Sequence, residues 1–168
     1  DYLARPARLL PATAAALPEV SADGRTFTLR IRPGIFFQDD AAFKGVKREL
    51  VAQDYVYSIK RFYDPQYNSS DLYLFESLKL PGLSELREKA LKSKQAFDYD
   101  TEVAGVRALD RYTLQVRLGE TEPRFIYQLA DPVTAGAVAR EVVEFYGKDI
   151  GAHPVGTGAF RLKSWRRA

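Results

Sequence analysis

The chain has 168 residues, 46% of them apolar, with 25 basic and 22 acidic side chains and a formal net charge of +3. That size and balance suit one globular domain with its own core, and the interspersed signs of charge argue against a nucleic-acid-binding face. Cysteine is absent, which removes disulfides, thiolate nucleophiles and cysteine metal sites; no apolar run approaches the ~20 residues of a membrane helix.

Methionine is absent too, and the chain starts at Asp1 without a charged and apolar leader. A removed signal peptide, or a piece cut from a longer chain, is the expectation. Residues 1 to 22 are rich in Ala, Pro and Leu and lack a period, so they read as an extended approach segment. Asp23-Gly24 is a turn signal, with glycine free to take positive φ. Phe27, Leu29 and Ile31 then alternate with Thr26, Thr28, Arg30 and Arg32, the period of a half-buried strand. Pro33-Gly34 ends it. Residues 35 to 49 read as irregular.

The strongest helix signal runs from Ala52 to Tyr63. Tyr55, Val56, Ile59, Phe62 and Tyr63 share one face, and Gln53, Asp54, Lys60 and Arg61 are expected on the opposite, solvated one. Asp64-Pro65 stops the helix. Residues 66 to 84 read as an aromatic-rich loop holding Tyr67, Tyr73 and Phe75. A short helix is predicted from Leu83 to Lys94. Val103 to Leu109 and Tyr112 to Leu118 read as a hairpin around Asp110-Arg111. Helices are predicted from Pro123 to Ala130 and from Ala139 to Tyr146, the second ended by Gly147. A closing strand is predicted from Phe160 to Trp165. The fold class is α+β, with a small mixed sheet and several helices.

Candidate chemistry is sparse. His153 is the only histidine, and it stands before proline in a turn, where a structural or solvent-facing role is the usual one. No Gly-x-Ser-x-Gly elbow accompanies it, and one histidine is too few for a zinc site. Asp39-Asp40 lacks further oxygen ligands at calcium-loop spacing. Gly156-Thr157-Gly158 leads into a strand pattern rather than a helix N-terminus, so it reads as a strand-entry turn and not a phosphate cradle. The tyrosines at 67 and 73 sit among polar neighbours, which marks them as candidates to face a ligand.

Five stretches, in order and at matching spacing, carry a resemblance. They are Leu17-Pro18-Glu19-Val20-Ser21-Ala22-Asp23-Gly24 with Phe27-Thr28-Leu29-Arg30, then Gly34-Ile35-Phe36-Phe37-Gln38-Asp39. Leu50-Val51-Ala52-Gln53-Asp54-Tyr55-Val56-Tyr57-Ser58-Ile59-Lys60-Arg61 with Asp64-Pro65 is the third, and Leu109-Asp110-Arg111-Tyr112-Thr113-Leu114 the fourth. Pro154-Val155-Gly156-Thr157-Gly158-Ala159-Phe160 with Trp165 is the fifth. Together they resemble bacterial extracytoplasmic solute-binding proteins of the peptide and nickel class, solute-binding family 5, over residues 9 to 165. The chain departs from the family's usual pattern where Asp39-Asp40 replaces Asp-Gly, where Val51 stands at the position of a capping threonine, and in the longer stretch Ala41 to Glu49.

The resemblance implies a non-catalytic receptor of an ABC importer, periplasmic or anchored at the cell surface, needing no cofactor or metal. Its implied partners are a peptide or related small solute and the membrane permease, with no nucleic acid, and it is implied to act as a monomer. Residues 17 to 153 would be a small α+β domain inserted into one of two lobes. Residues 1 to 16 would be a tail of the main lobe and residues 154 to 168 a strand returning to it. The strand opened by Gly156-Thr157-Gly158 would then lack its sheet, leaving Trp165 exposed. By the same resemblance the loop after Asp64-Pro65 approaches the ligand cleft, which places Tyr73, with Asp71 and Leu74, as the ligand-binding candidates. A second reading is a hydrolase using Asp39, Asp40 and His153, which requires those three to converge. A third is an interaction domain for the permease, which would show an exposed apolar patch.

Overall fold

The computed structural model describes residues 3, 5, 6 and 8–164. A four-stranded sheet is ordered β1-β2-β4-β3, with β1 Glu19–Val20, β2 Thr26–Arg30, β3 Val106–Asp110 and β4 Thr113–Arg117. The α+β class is as expected, but all three pairings are antiparallel where a mixed sheet was expected. For β1–β2 and β3–β4 the reason is topological: short turns join them, and a tight turn can only reverse a strand.

The period of two places Phe27 opposite Val116 and Leu29 opposite Leu114. These side chains line the inner face, while Thr26, Thr28, Gln115 and Arg117 face outward. The Asp23-Gly24 turn forms as predicted, with Gly24 at φ 67° and Asp23 accepting from Ser21 Oγ and the Arg25 N–H. β3 carries a register shift between Ala108 and Asp110. Such a bulge spoils the regular edge that an outer strand would otherwise offer.

The central element is α1, Ala52–Tyr63, matching its predicted bounds. It packs on β3 and β4 and is flanked by α2 (Leu72–Ser77), α3 (Leu83–Ser93) and α5 (Pro132–Ala135). Its predicted polar face is corrected by the structure: Asp54 and Lys60 are each only 2% exposed. Loops cover that side, and Asp54, Ser58 and Lys60 each meet partners there, whereas Arg61 Nε is buried without a hydrogen-bond partner and its guanidinium lies 4.5 Å from the centre of the Tyr67 ring. The Asp54 carboxylate takes Arg48 and the Val51 N–H, at 2.6 and 2.8 Å. Ser58 Oγ donates to the Asp54 carbonyl and accepts the Val138 N–H. Lys60 Nζ donates to the carbonyls of Tyr99 and Thr101 at 2.8 and 2.7 Å. The helix thus serves as a peg for three separate connections. Val51 gives no side-chain cap, as expected, and Asp54 at the third helical position takes its free N–H instead.

Three further helices or parts of them differ from the sequence reading. α2 lies inside the stretch read as loop, and α5 inside one left unassigned. α4 spans Phe125–Gln128 only, shorter than the predicted Pro123 to Ala130. α6, Arg140–Tyr146, ends at Gly147 with φ 52°, as predicted. The expected strand from Phe160 is not formed over residues 160–164, which are exposed and irregular. A strand exists by virtue of a neighbour that takes its backbone bonds, and no described strand pairs with it. Trp165, expected to be exposed, lies outside the described residues.

Glu49 fastens the turn at Gly34 to the turn of the β3–β4 hairpin. Its carboxylate accepts from Arg111 at 2.8 Å, from the Gly34 N–H at 2.7 Å and from the Tyr112 hydroxyl at 2.9 Å. The Arg111 bond, then those of Gly34 and Tyr112, hold the carboxyl down at about 2. A lowered folded value stabilises the fold above the group's ordinary value of 4.5 and loses that contribution as pH falls through about 2. Glu49→Gln is therefore expected to lower the melting temperature at pH 7 and to melt together with the parent chain near pH 2. A gap that stays constant from pH 7 to pH 2 would refute the charge-based account.

Candidate functional site

Two cavities flank α1. The smaller, about 20 Å³, is apolar and lies under Leu74, Phe75, Leu78 and Phe125. It has room for about one water molecule, and its lining is almost wholly hydrocarbon, with Gln128 and Thr134 at its margin.

The larger, about 390 Å³, lies between two segments that have no period in the sequence. One wall is residues 9–18. This stretch runs beside the end of β2, with Ala14 bridging Ile31, Ala15 N–H donating to Arg30 at 2.7 Å and Arg32 N–H donating to Thr13 at 2.9 Å. A 2.7 Å hydrogen bond joins the Thr13 and Tyr55 hydroxyls and pins the wall to α1. Burial pushes the Tyr55 hydroxyl up, so it stays protonated and able to share that bond. The facing wall is Ile126, Leu129 and residues 130–137, where Asp131 caps α5 through the Val133 N–H. The floor is the hydrophobic core itself: Ile31, Leu50, Ile59 and Leu114. Thr157 closes the rim. The volume lies in the range of ordinary ligand or docking pockets, and the lining is mostly hydrocarbon, with the Thr13 and Tyr55 hydroxyls paired to each other.

The sequence-predicted residues fall around this frame as follows. Asp71 precedes α2 and makes no side-chain cap. Tyr73 points outward, 65% exposed, while Leu74 turns inward onto the small void. Neither Asp71 nor Tyr73 lines either cavity. Asp40 and His153 both reach Tyr146, but in different ways. The His153 ring stacks on the Tyr146 ring at 3.9 Å and 5°. The Tyr146 hydroxyl donates to Asp40 at 3.0 Å, and Asp40 also caps the turn Ala41–Phe43 through the Ala42 N–H. The carboxylate is thus occupied by capping, and neither Asp39, Asp40 nor His153 lines either cavity. Asp40 and His153 thus meet on one tyrosine, away from both cavities, and nothing in the geometry supports the hydrolase reading.

The larger cavity escapes sequence reading because its walls are Ala- and Pro-rich stretches whose faces are set by what they pack on. The only local signal is the small-residue composition of 11–16 and 135–139.

The chain matches the family model of bacterial extracellular solute-binding proteins, family 5 middle, over residues 8–168. It belongs to that family. Among curated relatives of solute-binding family 5, the glutathione-binding protein GsiB of Shigella flexneri is 30% identical over 148 residues. That alignment covers 88% of this chain and 22% of the relative, so the chain spans about a fifth of the relative's length. Among solved structures, the pheromone receptor PrgZ, described with its mode of peptide binding, is 29% identical with a TM-score of 0.71. It covers 98% of this chain and 29% of that one. Listeria monocytogenes OppA bound to peptide is 26% identical with a TM-score of 0.70, covering 92% of this chain and 27% of that one. These relatives are named for binding.

Proposed function

We propose that this chain is the inserted α+β domain of an extracytoplasmic solute receptor for an ABC importer. The receptor captures a peptide or a related small solute without catalysis, acts as a monomer and hands the solute to the membrane permease. Residues 1–16 and 154–168 are its passages to and from the main lobe. One observation carries the reading: segments from both ends of the domain, 9–18 and Thr157, meet at one apolar cavity whose floor is the core. An opening of the core at that place suits a domain seated on a larger body there. The exposed Phe160 and Leu162 lie on the same departing segment.

Enclosure between lobes supplies the affinity of such a receptor, so the domain alone is expected to bind no short peptide and no glutathione in the micromolar range by calorimetry. Micromolar binding by this chain alone overturns the reading. Tyr73 is the candidate ligand contact, because its ring is presented to solvent on a helix anchored by Phe75. In the intact receptor, Tyr73→Ala is expected to weaken peptide binding about tenfold.

A further inference from the structure

The departing segment packs on the core through Val155 and is hydrogen-bonded to the rest of the domain by one residue. Residues 154–164 have no regular structure, and residues 158–164 are exposed. Among the described residues, every hydrogen bond from this segment to the rest of the domain comes from Gln38. Its backbone N–H donates to the Gly156 carbonyl at 2.9 Å. Its side-chain Nε2 donates to the carbonyls of Gly158 and Phe160, at 3.0 and 2.6 Å. Both side-chain partners are acceptors, which fixes the orientation of the amide: its NH₂ faces the segment and spends its two protons there.

A clamp is needed at this place. Gly156-Thr157-Gly158 has no regular structure, and a Cβ built on either glycine meets no atom closer than 4.0 Å. The glycines are therefore not demanded by space, and they add conformational freedom that ordering must overcome. Gln38 itself is firmly based. It follows buried Phe37, whose N–H donates to the Arg48 carbonyl, and Asp39-Asp40 then leads into the turn that Asp40 caps. An anchored base, a two-proton donor and a glycine segment without regular structure together make a director of the chain's path.

We propose that Gln38 is the positioning residue that sets the direction in which residues 158–162 leave the domain. It holds them through the paired carbonyls of Gly158 and Phe160. In the proposed receptor this would fix how the domain sits against its main lobe, and that consequence rests on the receptor reading. The clamp itself does not.

The decisive comparison is Gln38→Glu in this chain, with Gln38→Met as a second, uncharged variant of similar length. Glutamate keeps the shape but, ionised, offers no donor to the two carbonyls. The measurement is backbone ¹⁵N relaxation, with trypsin cleavage after Arg161 and Lys163 as an independent rate. In the parent chain, order parameters near 0.85 are expected through Phe160. In both variants they are expected to fall below about 0.6 at Gly158 to Leu162. Gly156, still bonded by the Gln38 backbone, is expected to keep its order. Cleavage is expected to rise about tenfold, the effect of losing two ordinary hydrogen bonds. Unchanged order at 158–162 overturns the proposal. So does a loss of order spread equally over the sheet and α1, since Gln38 would then be a general fold contact. The experiment contains no ligand, so its failure leaves the receptor reading standing, and peptide binding by the isolated chain leaves the clamp standing.

Discussion

Arg48→Met is expected to cost about 3–5 kcal/mol of folding stability, the usual loss when one partner of a buried ion pair is removed. The guanidinium grips Asp54 with two bonds, at 2.6 and 3.2 Å, and Glu141 with Nε at 2.7 Å. It also donates to the Glu49 carbonyl and lies 5.8 Å from the centre of the Phe37 ring. One side chain therefore ties the 35–49 connection to the start of α1 and to α6. Asp54 is the vulnerable member. Burial already pushes its carboxyl up, against the opposing pull of Arg48 and the Val51 N–H. Without Arg48 only the Val51 bond remains, and the ionised form is heavily penalised in the folded state. Its folded value then lies further above the unfolded one, so protonation favours folding and the deficit should shrink as pH falls. Adding Asp54→Asn to Arg48→Met should recover part of the loss. Urea melts at pH 7 and pH 4 decide the matter: a deficit under 1 kcal/mol at pH 7, or one that grows on acidification, contradicts this account.

Phe125→Ala is expected to cost a similar amount, about 3–5 kcal/mol. Phe125 is buried, meets Phe27 edge-on at 4.8 Å and roofs the small void with Leu78, Leu80 and Val116. α4 is a single turn, and Phe125 is its one buried residue. Removing the ring enlarges an existing void, which adds about 24 cal/mol for each Å³ left empty. It also frees the wall that carries Ile126 and Leu129 on the larger cavity. Denaturant melts give the magnitude. A loss under 1 kcal/mol would mean that α4 is held by something other than this ring.

Much of the secondary structure is legible in the sequence, for reasons that differ by element. The helix from Ala52 to Tyr63 is long enough for its period to emerge and is stopped by Asp64-Pro65. Gly24 and Gly147 mark turns because each position needs positive φ. α2, α4 and α5 are misread because helices of four to six residues carry too few turns for a period. Asp54 and Lys60 are misplaced on a solvated face because a pattern of polar residues does not distinguish water from a buried partner. Phe160 to Leu162 has the alternation of a strand, yet no described strand lies beside it.

What the sequence determined by itself is local: strand and helix tendencies, turns, and an ordered set of motifs matching one family. Those follow from backbone preferences and side-chain periods that span a dozen or so neighbours. What only the tertiary structure decided is pairing across long separations. Lys60 meets Tyr99 across 39 positions, Ser58 meets Val138 across 80 and Gln38 meets Phe160 across 122. Ser58 and Lys60 are polar groups that burial obliges to find a partner, Gln38 makes its bond at the exposed edge, and which partner comes within 3 Å depends in each case on how the sheet, α1 and the loops close around one another.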